Sequence, residues 1–260
     1  MTTHPPAPGR ACEPARMPDL YEWLYCARRR RGMSREAAAR RADISYSYLT
    51  RIEREHLRPT RDVLDSLTFT YHLDPWQQRH TRELWEPSMP LPAAGELRHH
   101  LSDPAVLAYM DHLSARDILA AHIDPLSTVL HGNHAFHRHV PGLTEHADTN
   151  LALWLFTPTA RQVIDHWDHE ARHGVTLLRG ALGRYRDTPQ ARSLLRKLRQ
   201  HNNFNELWAE TRLHVTYGRT TATPIRLHDS TELVPLSLQV TEYADRNDIL
   251  IAYGITDTSE

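Results

Sequence analysis

Two short helical segments joined by a tight turn, in residues 34–55, limit what this chain can fold into more than any other feature of its sequence. Ser34 and Ser45 can each cap the start of a helix. The first helix has no apolar residue bulkier than Ala, which suits a close helix crossing, and Ile44 marks the break before the second. The pattern therefore predicts a helix-turn-helix, a motif whose second helix lies in the major groove of DNA.

The second predicted helix has an apolar face and a polar face. Ile44, Leu49 and Ile52 supply the apolar face. The polar side chains have the reach to hydrogen-bond base edges or phosphates. We predict DNA contacts from Arg35, Ser45, Tyr46, Ser47, Tyr48, Thr50, Arg51, Arg54 and Arg58. The expected base contacts are Tyr46, Ser47, Thr50 and Arg51, and the expected phosphate contacts are Arg35, Arg54, Arg58 and the arginines at 28–31.

Positive charge is concentrated in the same region. Residues 28–61 contain eleven arginines and four acidic residues, whereas the whole chain has a formal net charge of −1. Such an asymmetry indicates that one part of the chain meets a polyanion while the rest has another role. The alternative is a plain helical hairpin with a solvated basic face.

The residues themselves favour the DNA-binding interpretation. S-R-E-A-A-A-R-R-A-D-I-S-Y-S-Y-L-T-R-I-E-R-E-H-L-R-P-T (34–60) resembles, without a gap, the helix-turn-helix of the XRE (lambda-repressor-like) regulators. Those typically have T-Q-E-E-L-A-x-x-A-G-V-S-x-S-Y-L-S-x-I-E-x-G-x-R-x-P-S. The resemblance implies an all-α N-terminal domain. Asp43 replaces the usual turn glycine, and aspartate tolerates the left-handed conformation. Glu55 replaces the glycine that normally ends the third helix, so this helix is expected to end differently.

Composition and periodicity divide the rest of the chain. A proline-containing arm, 1–19, is expected to be disordered, and the DNA-binding domain is expected at 20–86. Alternate prolines predict a semi-rigid linker, 87–102. An α+β domain is predicted for 103–257, since helical patterns give way to apolar segments separated by polar turns. The predicted C-terminal strands are HVTYG (214–218), PIRLH (224–228), LVPLSLQVTEY (233–243) and ILIAYGI (249–255).

Three segments of the second domain resemble one family of regulators. They are N-L-A-L-W-L-F-T-P-T-A-R (150–161), W-D-H-E-A-R (167–172) and N-N-F-N-E-L-W-A (202–209), which are similar to the C-terminal region of the MmyB-like regulators of actinomycetes. The resemblance implies a PAS-like α+β fold with an antiparallel sheet, and a small apolar, fatty-acid-like ligand. It also implies regulation of antibiotic or secondary metabolism. The chain departs from the family at 131–139 and around 216–232.

Aromatic and aliphatic residues of the second domain recur at helical spacing. Such stripes are most often plain core, but a PAS-like domain folds around a small cavity, and some of these residues are then expected in its wall. The candidate ligand-binding residues are Leu151, Trp154, Leu155, Phe204 and Trp208.

Histidine clusters raise the question of a metal, and we expect none. Four histidines fall within 131–139, and His166, His169 and His173 share one helical face. No HExxH pattern occurs, and neither of the two cysteines lies nearby. The pattern therefore favours surface histidines that titrate near neutral pH. Such histidines would make ligand or DNA binding pH-sensitive. Nucleophile-elbow and phosphate-loop motifs are absent, which disfavours an enzyme and any cofactor.

Together these patterns predict a regulator that binds double-stranded DNA. A homodimer would select a pseudo-palindromic operator. No apolar run is long enough to span a bilayer, so the expected location is the cytoplasm. The alternative is a ligand-free regulator whose C-terminal domain serves dimerisation or protein-partner binding.

Overall fold

The computed structural model describes residues 13–218, 223–226, 233–244 and 246–256. The N-terminal part is helical, as predicted. Its helices are α1 Leu20–Arg30, α2 Arg35–Arg41, α3 Tyr46–Glu55, α4 Arg61–Thr70 and α5 Pro75–Trp85. Each begins at a side-chain cap, namely Asp19, Ser34, Ser45, Thr60 and Asp74, whose oxygen accepts a backbone N–H of the first turn. The α2–turn–α3 unit is the helix-turn-helix.

Both departures from the usual glycines are accommodated in the turns. Asp43 has φ of 55°, the left-handed conformation that the turn between α2 and α3 requires. The third helix ends with His56 at φ 56°, one residue beyond Glu55, so a different residue takes the left-handed position. The chain therefore keeps the motif without either glycine.

The second part combines helices with one antiparallel sheet. Its helices are α6 Ala94–His100, α7 Pro104–Ser114, α8 His134–His139, α9 Leu143–His146, α10 Leu151–Trp154, α11 Pro158–Val163, α12 Trp167–Arg184, α13 Pro189–Leu198 and α14 Asn202–Glu210. Its strands are β1 Leu119–Ile123, β2 Val129–Gly132, β3 Thr223–Arg226, β4 Leu233–Tyr243 and β5 Arg246–Thr256. They pair in the order β2-β1-β5-β4-β3, all antiparallel. The predicted α+β class with an antiparallel sheet is confirmed.

The sheet separates two layers of helices. Leu119, Ala121 and Ile123 of β1 face the large core that includes α10, α12, α13 and α14. The alternate residue Ala120 faces the opposite side, where Met110 and Leu113 of α7 cover it. This alternation follows from the two-residue period of a strand.

The prediction of a disordered arm is wrong for residues 13–19. Ala15 is only 2% exposed, and its backbone N–H donates to Asn205 Oδ1 at 3.0 Å. Its carbonyl accepts from the Arg199 guanidinium. The absence of a periodic apolar pattern misled the sequence argument, because single residues and backbone groups make these contacts. Residues 1–12 lie outside the described part of the chain.

The predicted linker is more structured than its prolines indicate. Residues 94–100 form α6, so a helix occupies half of the segment 87–102. The extended part lies on the second domain, where Met89 N–H donates to Arg184 O at 2.9 Å. Gln190 donates to the carbonyl of buried Leu91 at 2.9 Å. The prolines keep residues 87–93 extended, but backbone hydrogen bonds and the buried Leu91 hold this part of the linker against the second domain.

Residues 214–218, predicted as a strand, form no strand. They run irregularly after α14 and place Val215 in the core of the helix-turn-helix domain, beside Leu213. Their alternating apolar pattern therefore reflects burial against helices. Residues 151–184 form three separate helices, α10, α11 and α12. Residues 227–228 and 257 of the predicted elements lie outside the described residues.

No helix in the described ranges has both the length and the apolar composition needed to cross a bilayer.

Candidate nucleic-acid interface and its junction with the second domain

A buried ion-pair network fixes the three helices of the candidate DNA-binding surface. The Glu53 carboxylate of α3 is fully buried and accepts two bonds from Arg28 of α1, at 2.6 and 2.9 Å. It also accepts Arg35 Nε of α2 at 2.6 Å. Arg28 Nη1 donates to Met33 O at 2.7 Å, in the turn between α1 and α2. One carboxylate thus sets the positions of α1 and α2 relative to α3.

The face of α3 that points away from the buried Leu49 and Ile52 is open to solvent. Tyr46, Ser47, Arg51 and Arg54 are exposed there. Arg51 is paired only with the exposed Glu55, at 3.1 Å, and Arg54 has no hydrogen bond or ion pair with another described residue. These four predicted residues share one face and carry donors able to reach base edges and phosphates.

Three other predicted contacts on this helix are partly used by the protein itself. Ser45 Oγ accepts Tyr48 N–H at 3.1 Å as the helix cap and lies 3.1 Å from Ser47 Oγ. The half-buried Tyr48 packs against the helix-turn-helix core. Thr50 is also half-buried, and its hydroxyl is shielded from solvent. The structure therefore does not present Tyr48 and Thr50 as freely as Arg51.

Several arginines expected at phosphates have structural partners instead. Arg28 and Arg35 bind Glu53, as described above. Arg31 donates to the carbonyls of Tyr71 and His72 at 2.6 and 2.7 Å, just beyond the end of α4. Within the run 28–31, the exposed and unpaired members are at 29 and 30.

Arg58, also expected to contact phosphate, binds another part of the same domain. Its guanidinium lies 4.5 Å from the ring centre of Trp85 and donates to Trp85 O at 2.7 Å. The Trp85 indole in turn donates to Pro59 O at 2.8 Å. Arg58 thus ties the loop after α3 to the end of α5, which makes its main contact intramolecular.

A groove beside α3 contains Tyr25, which is not among the expected DNA contacts, together with the expected Arg29 and Arg54. It has a volume of about 380 Å³ and lies between α1 and the adjoining ends of α2 and α3. Tyr25 and Arg29 line it together with Ser34 and Arg54. Tyr25 lies outside the apolar face of α1 and close to the arginines at 28–31. This position in the sequence is the signal that could have identified Tyr25 as part of the DNA-binding surface. The groove extends the basic, hydrogen-bonding surface of α3.

The second domain packs directly on α5. Gln77 donates to Leu213 O at 2.8 Å, and Tyr217 O–H donates to the Glu83 carboxylate. Arg79 lies 3.8 Å from the ring centre of Tyr217. Burial and Glu83 raise the pKa of Tyr217 well above its ordinary value, so it stays a neutral donor.

Helices α5 and α12 meet closely at His80. A Cβ on Gly183 of α12 would lie 2.5 Å from His80 Cε1. His80 is fully buried, with its ring edge-on to Trp23 at 4.7 Å. Burial lowers the pKa of His80 to about 3, with smaller contributions from Arg179 and Arg186, so the ring is neutral.

The five candidate ligand-binding residues lie in the main core of the second domain. Phe204 and Trp208 of α14 are in contact, with ring centres 5.4 Å apart. Trp154 is buried, and its indole donates to Pro141 O at 2.8 Å. Leu151 and Leu155 are half-buried at the edge of the same core. The structure brings these side chains into one apolar cluster.

The histidine-rich segment lies at the sheet. His131 of β2 is directly opposite His122 of β1, and neither ring nitrogen of His122 has a hydrogen-bond partner among the described residues. Burial lowers the pKa of His122 to about 4, and His131 adds to the effect. Among the described residues, no three His, Cys, Asp or Glu side chains are arranged to hold a metal ion.

Two family models match this sequence. One, described as the MmyB-like transcription regulator ligand binding domain, matches residues 96–260, and this is more than half of the chain. The other, described as a helix-turn-helix domain, matches residues 27–80. No curated protein matches the chain.

Proposed function

Because the chain belongs to the MmyB-like transcription regulators, we propose that it binds a specific operator in double-stranded DNA and that a small apolar ligand controls this binding. The proposed DNA-binding domain is 20–86, and the proposed ligand-binding and dimerisation domain is 103–257. The observation that carries the DNA part is the free polar face of α3 on a scaffold fixed by Glu53. The protein acts, in this proposal, by binding rather than by catalysis.

The proposed base contacts are three exposed side chains of α3, Tyr46, Ser47 and Arg51. Arg54 and Arg29 are placed to contact phosphates from either side of the groove. In a homodimer, two copies of α3 would occupy successive major grooves about 34 Å apart, which selects a pseudo-palindromic sequence. Selection from random double-stranded DNA, followed by footprinting, would reveal this symmetry.

Arg51→Ala tests the division between base and phosphate contacts. We expect it to weaken operator binding by about 5- to 150-fold, corresponding to about 1–3 kcal/mol, and to affect random DNA less. Arg172→Ala is a matched control, because Arg172 lies on α12, is 50% exposed and pairs with Glu210 at 2.7 Å, whereas Arg51 is 55% exposed and pairs at 3.1 Å. Fluorescence anisotropy on both DNAs measures the effect. Equal losses on operator and random DNA would contradict the assignment of Arg51 to bases.

For the ligand, we propose an apolar, fatty-acid-like molecule in the core of the second domain. The apolar cluster of Leu151, Trp154, Leu155, Phe204 and Trp208, between helices and sheet, supports this location. Native mass spectrometry of protein purified from an actinomycete host is the direct test. A co-purified apolar mass of one molecule per chain is the expected result.

One observation favours the alternative, a ligand-free regulator whose second domain dimerises or recruits a protein. Phe204 is fully buried and packs against Phe156 and Trp208, with ring centres 5.5 and 5.4 Å apart. A core this tightly filled would have to rearrange to admit a ligand. A clean ligand-free dimer in the mass spectrum would support the alternative.

Regulation of antibiotic or secondary metabolism is proposed from the family resemblance. Chromatin immunoprecipitation in the source organism tests it directly. Binding sites upstream of biosynthetic genes would support this role, and binding confined to unrelated genes would contradict it.

A further inference from the structure

A cavity lies where three parts of the chain meet, and we call it the junction cavity. Its volume is about 70 Å³. The segment 13–19 forms one wall, α1 and α5 of the helix-turn-helix domain form the second, and α12 and α14 of the second domain form the third. The space is large enough for several water-sized groups.

A buried cation without a counter-ion lines this cavity. Arg179 of α12 is 5% exposed, and its guanidinium lies 3.9 Å from the ring centre of Trp208. One terminal nitrogen donates to Trp208 O at 2.7 Å and is 3.4 Å from Thr211 Oγ1. The buried Nε has no hydrogen-bond partner, and no carboxylate of a described residue lies within ion-pair distance of Arg179. An isolated buried charge is costly unless an anion pairs with it.

The other charges around the cavity are already matched. Glu13 pairs with Arg16, and Glu22 lies 3.8 Å from Arg212. Asp19 accepts two backbone N–H groups at the start of α1. Arg179 is therefore the one charge in the described lining without a balancing group.

The helix-turn-helix domain contributes to the lining a second buried nitrogen without a hydrogen-bond partner among the described residues. His80 of α5 lines the same cavity, and its Nε2 is buried without a hydrogen bond. The neighbouring walls are apolar and include Met17, Trp23 and Leu84. A polar corner with a cation, next to an apolar wall, matches a carboxylate with a short apolar group.

We propose that the junction cavity binds a small monocarboxylate, whose carboxylate pairs with Arg179 and is hydrogen-bonded by the neutral His80. Its apolar part lies against Trp23 and Leu84. This site shares Trp208 with the apolar cluster proposed above for a fatty-acid-like ligand, but Arg179 and His80 lie outside that cluster. Because its walls come from both domains, occupancy favours the arrangement in which they are packed together. Only this regulatory consequence rests on the proposed function.

Butyrate is a suitable probe, with phosphate at the same ionic strength as the comparison anion. Isothermal titration of the full chain should show saturable binding of one butyrate. Arg179→Gln should weaken this binding by about 10- to 150-fold, because a charge-assisted hydrogen bond contributes about 1.5–3 kcal/mol. Arg172→Gln, on the same helix but outside the cavity lining and paired with Glu210, should leave it nearly unchanged.

A second variant tests the location without removing the buried charge. Ala209 is exposed and lines the cavity, so Ala209→Leu adds bulk there at small cost to folding. We expect it to lower butyrate affinity as well. Absence of saturable butyrate binding, or equal affinity in wild type and both variants, would overturn the proposal, and binding of phosphate alone would overturn the assignment to a carboxylate.

Anisotropy on operator DNA, with and without butyrate, separates the two proposals. Butyrate binding without any DNA binding would refute the proposed function and leave the junction site standing. DNA binding without butyrate binding would refute the junction site and leave the proposed DNA-binding function standing.

Discussion

Replacing Glu53 by glutamine removes the negative charge that holds α1, α2 and α3 together. The Arg28 side chain is 4% exposed and the Glu53 side chain is 0% exposed, so the charge left on Arg28 cannot be rehydrated without opening the helix pair. Glutamine has nearly the same shape, so the change creates no cavity. Its amide NH₂ would also face guanidinium donors, where the carboxylate had two acceptors.

The expected cost follows from the burial of this network. Breaking a buried ion pair by removing one partner costs about 3–5 kcal/mol, since the remaining charge stays desolvated. For a protein of this size, each kcal/mol lowers Tm by roughly 2–4 °C, which gives a fall of roughly 6–20 °C. Urea unfolding followed by circular dichroism, together with a thermal scan, measures both quantities.

Glu55→Gln is the control for this prediction. Glu55 lies on the same helix and pairs with Arg51, but both side chains are more than half exposed. Such exposed pairs contribute about 0–1 kcal/mol, so this variant should unfold close to wild type. The double variant Arg28→Met/Glu53→Met should recover much of the loss, because the one cation left without its carboxylate is Arg35, whose side chain is 20% exposed and can be hydrated. A Glu53→Gln variant within about 1 kcal/mol of wild type would refute the argument that this network fixes the helices.

Three further predictions follow from the junction and the loop after α3. Arg58→Ala should destabilise the protein by about 1–2 kcal/mol in urea unfolding, because it removes the contact with Trp85, and an unchanged midpoint would contradict this. As pH falls from about 6.5 towards 3, the free energy of unfolding should decline by up to about 1.4 kcal/mol per pH unit, because His80 stays neutral in the folded protein and is protonated in the unfolded chain. A His80→Leu variant with the wild-type pH slope would contradict the assignment of this slope to His80. Gly183→Ala should cost about 1–3 kcal/mol because its Cβ would collide with His80, whereas Gly95→Ala, which meets nothing within 4 Å, should not destabilise.

The helix starts could be predicted because they depend on local chemistry. Ser34 and Ser45 each cap a helix through a bond to a residue three positions later, and that spacing is visible in the sequence. Strands β3, β4 and β5 follow from the pattern of the C-terminal residues, whereas β1 and β2 are not among the predicted strands. These features need no knowledge of what packs against them.

The roles of the arginines could not be predicted from the same information. Arg28 meets Glu53 across 25 positions and Arg35 meets it across 18, so only the tertiary fold decides which arginines face a carboxylate and which face solvent. A cluster of positive charge is compatible with either outcome. Arg51 and Arg54 keep their predicted exposure because they lie on the face of α3 that points away from the buried Leu49 and Ile52.

The same limit applies to residues 214–218. An alternating pattern shows that every second residue is buried, but it does not show what buries it. Here Val215 packs into the helix-turn-helix core, and Tyr217 binds Glu83. Strand pairing and burial against helices leave the same pattern in so short a segment.

This segment also determines how the two domains can communicate. Leu213 and Val215 belong to the same apolar cluster as the residues that support α3, including Leu49 and Ile52. A ligand changes DNA binding only if it prefers one arrangement of the domains over another. Any such preference must act through contacts that join them, and residues 213–217 with Gln77, Glu83 and His80 form the closest set. Movement of this segment would expose apolar surface of the helix-turn-helix core, so the stability of the DNA-binding surface and the state of the second domain are physically coupled.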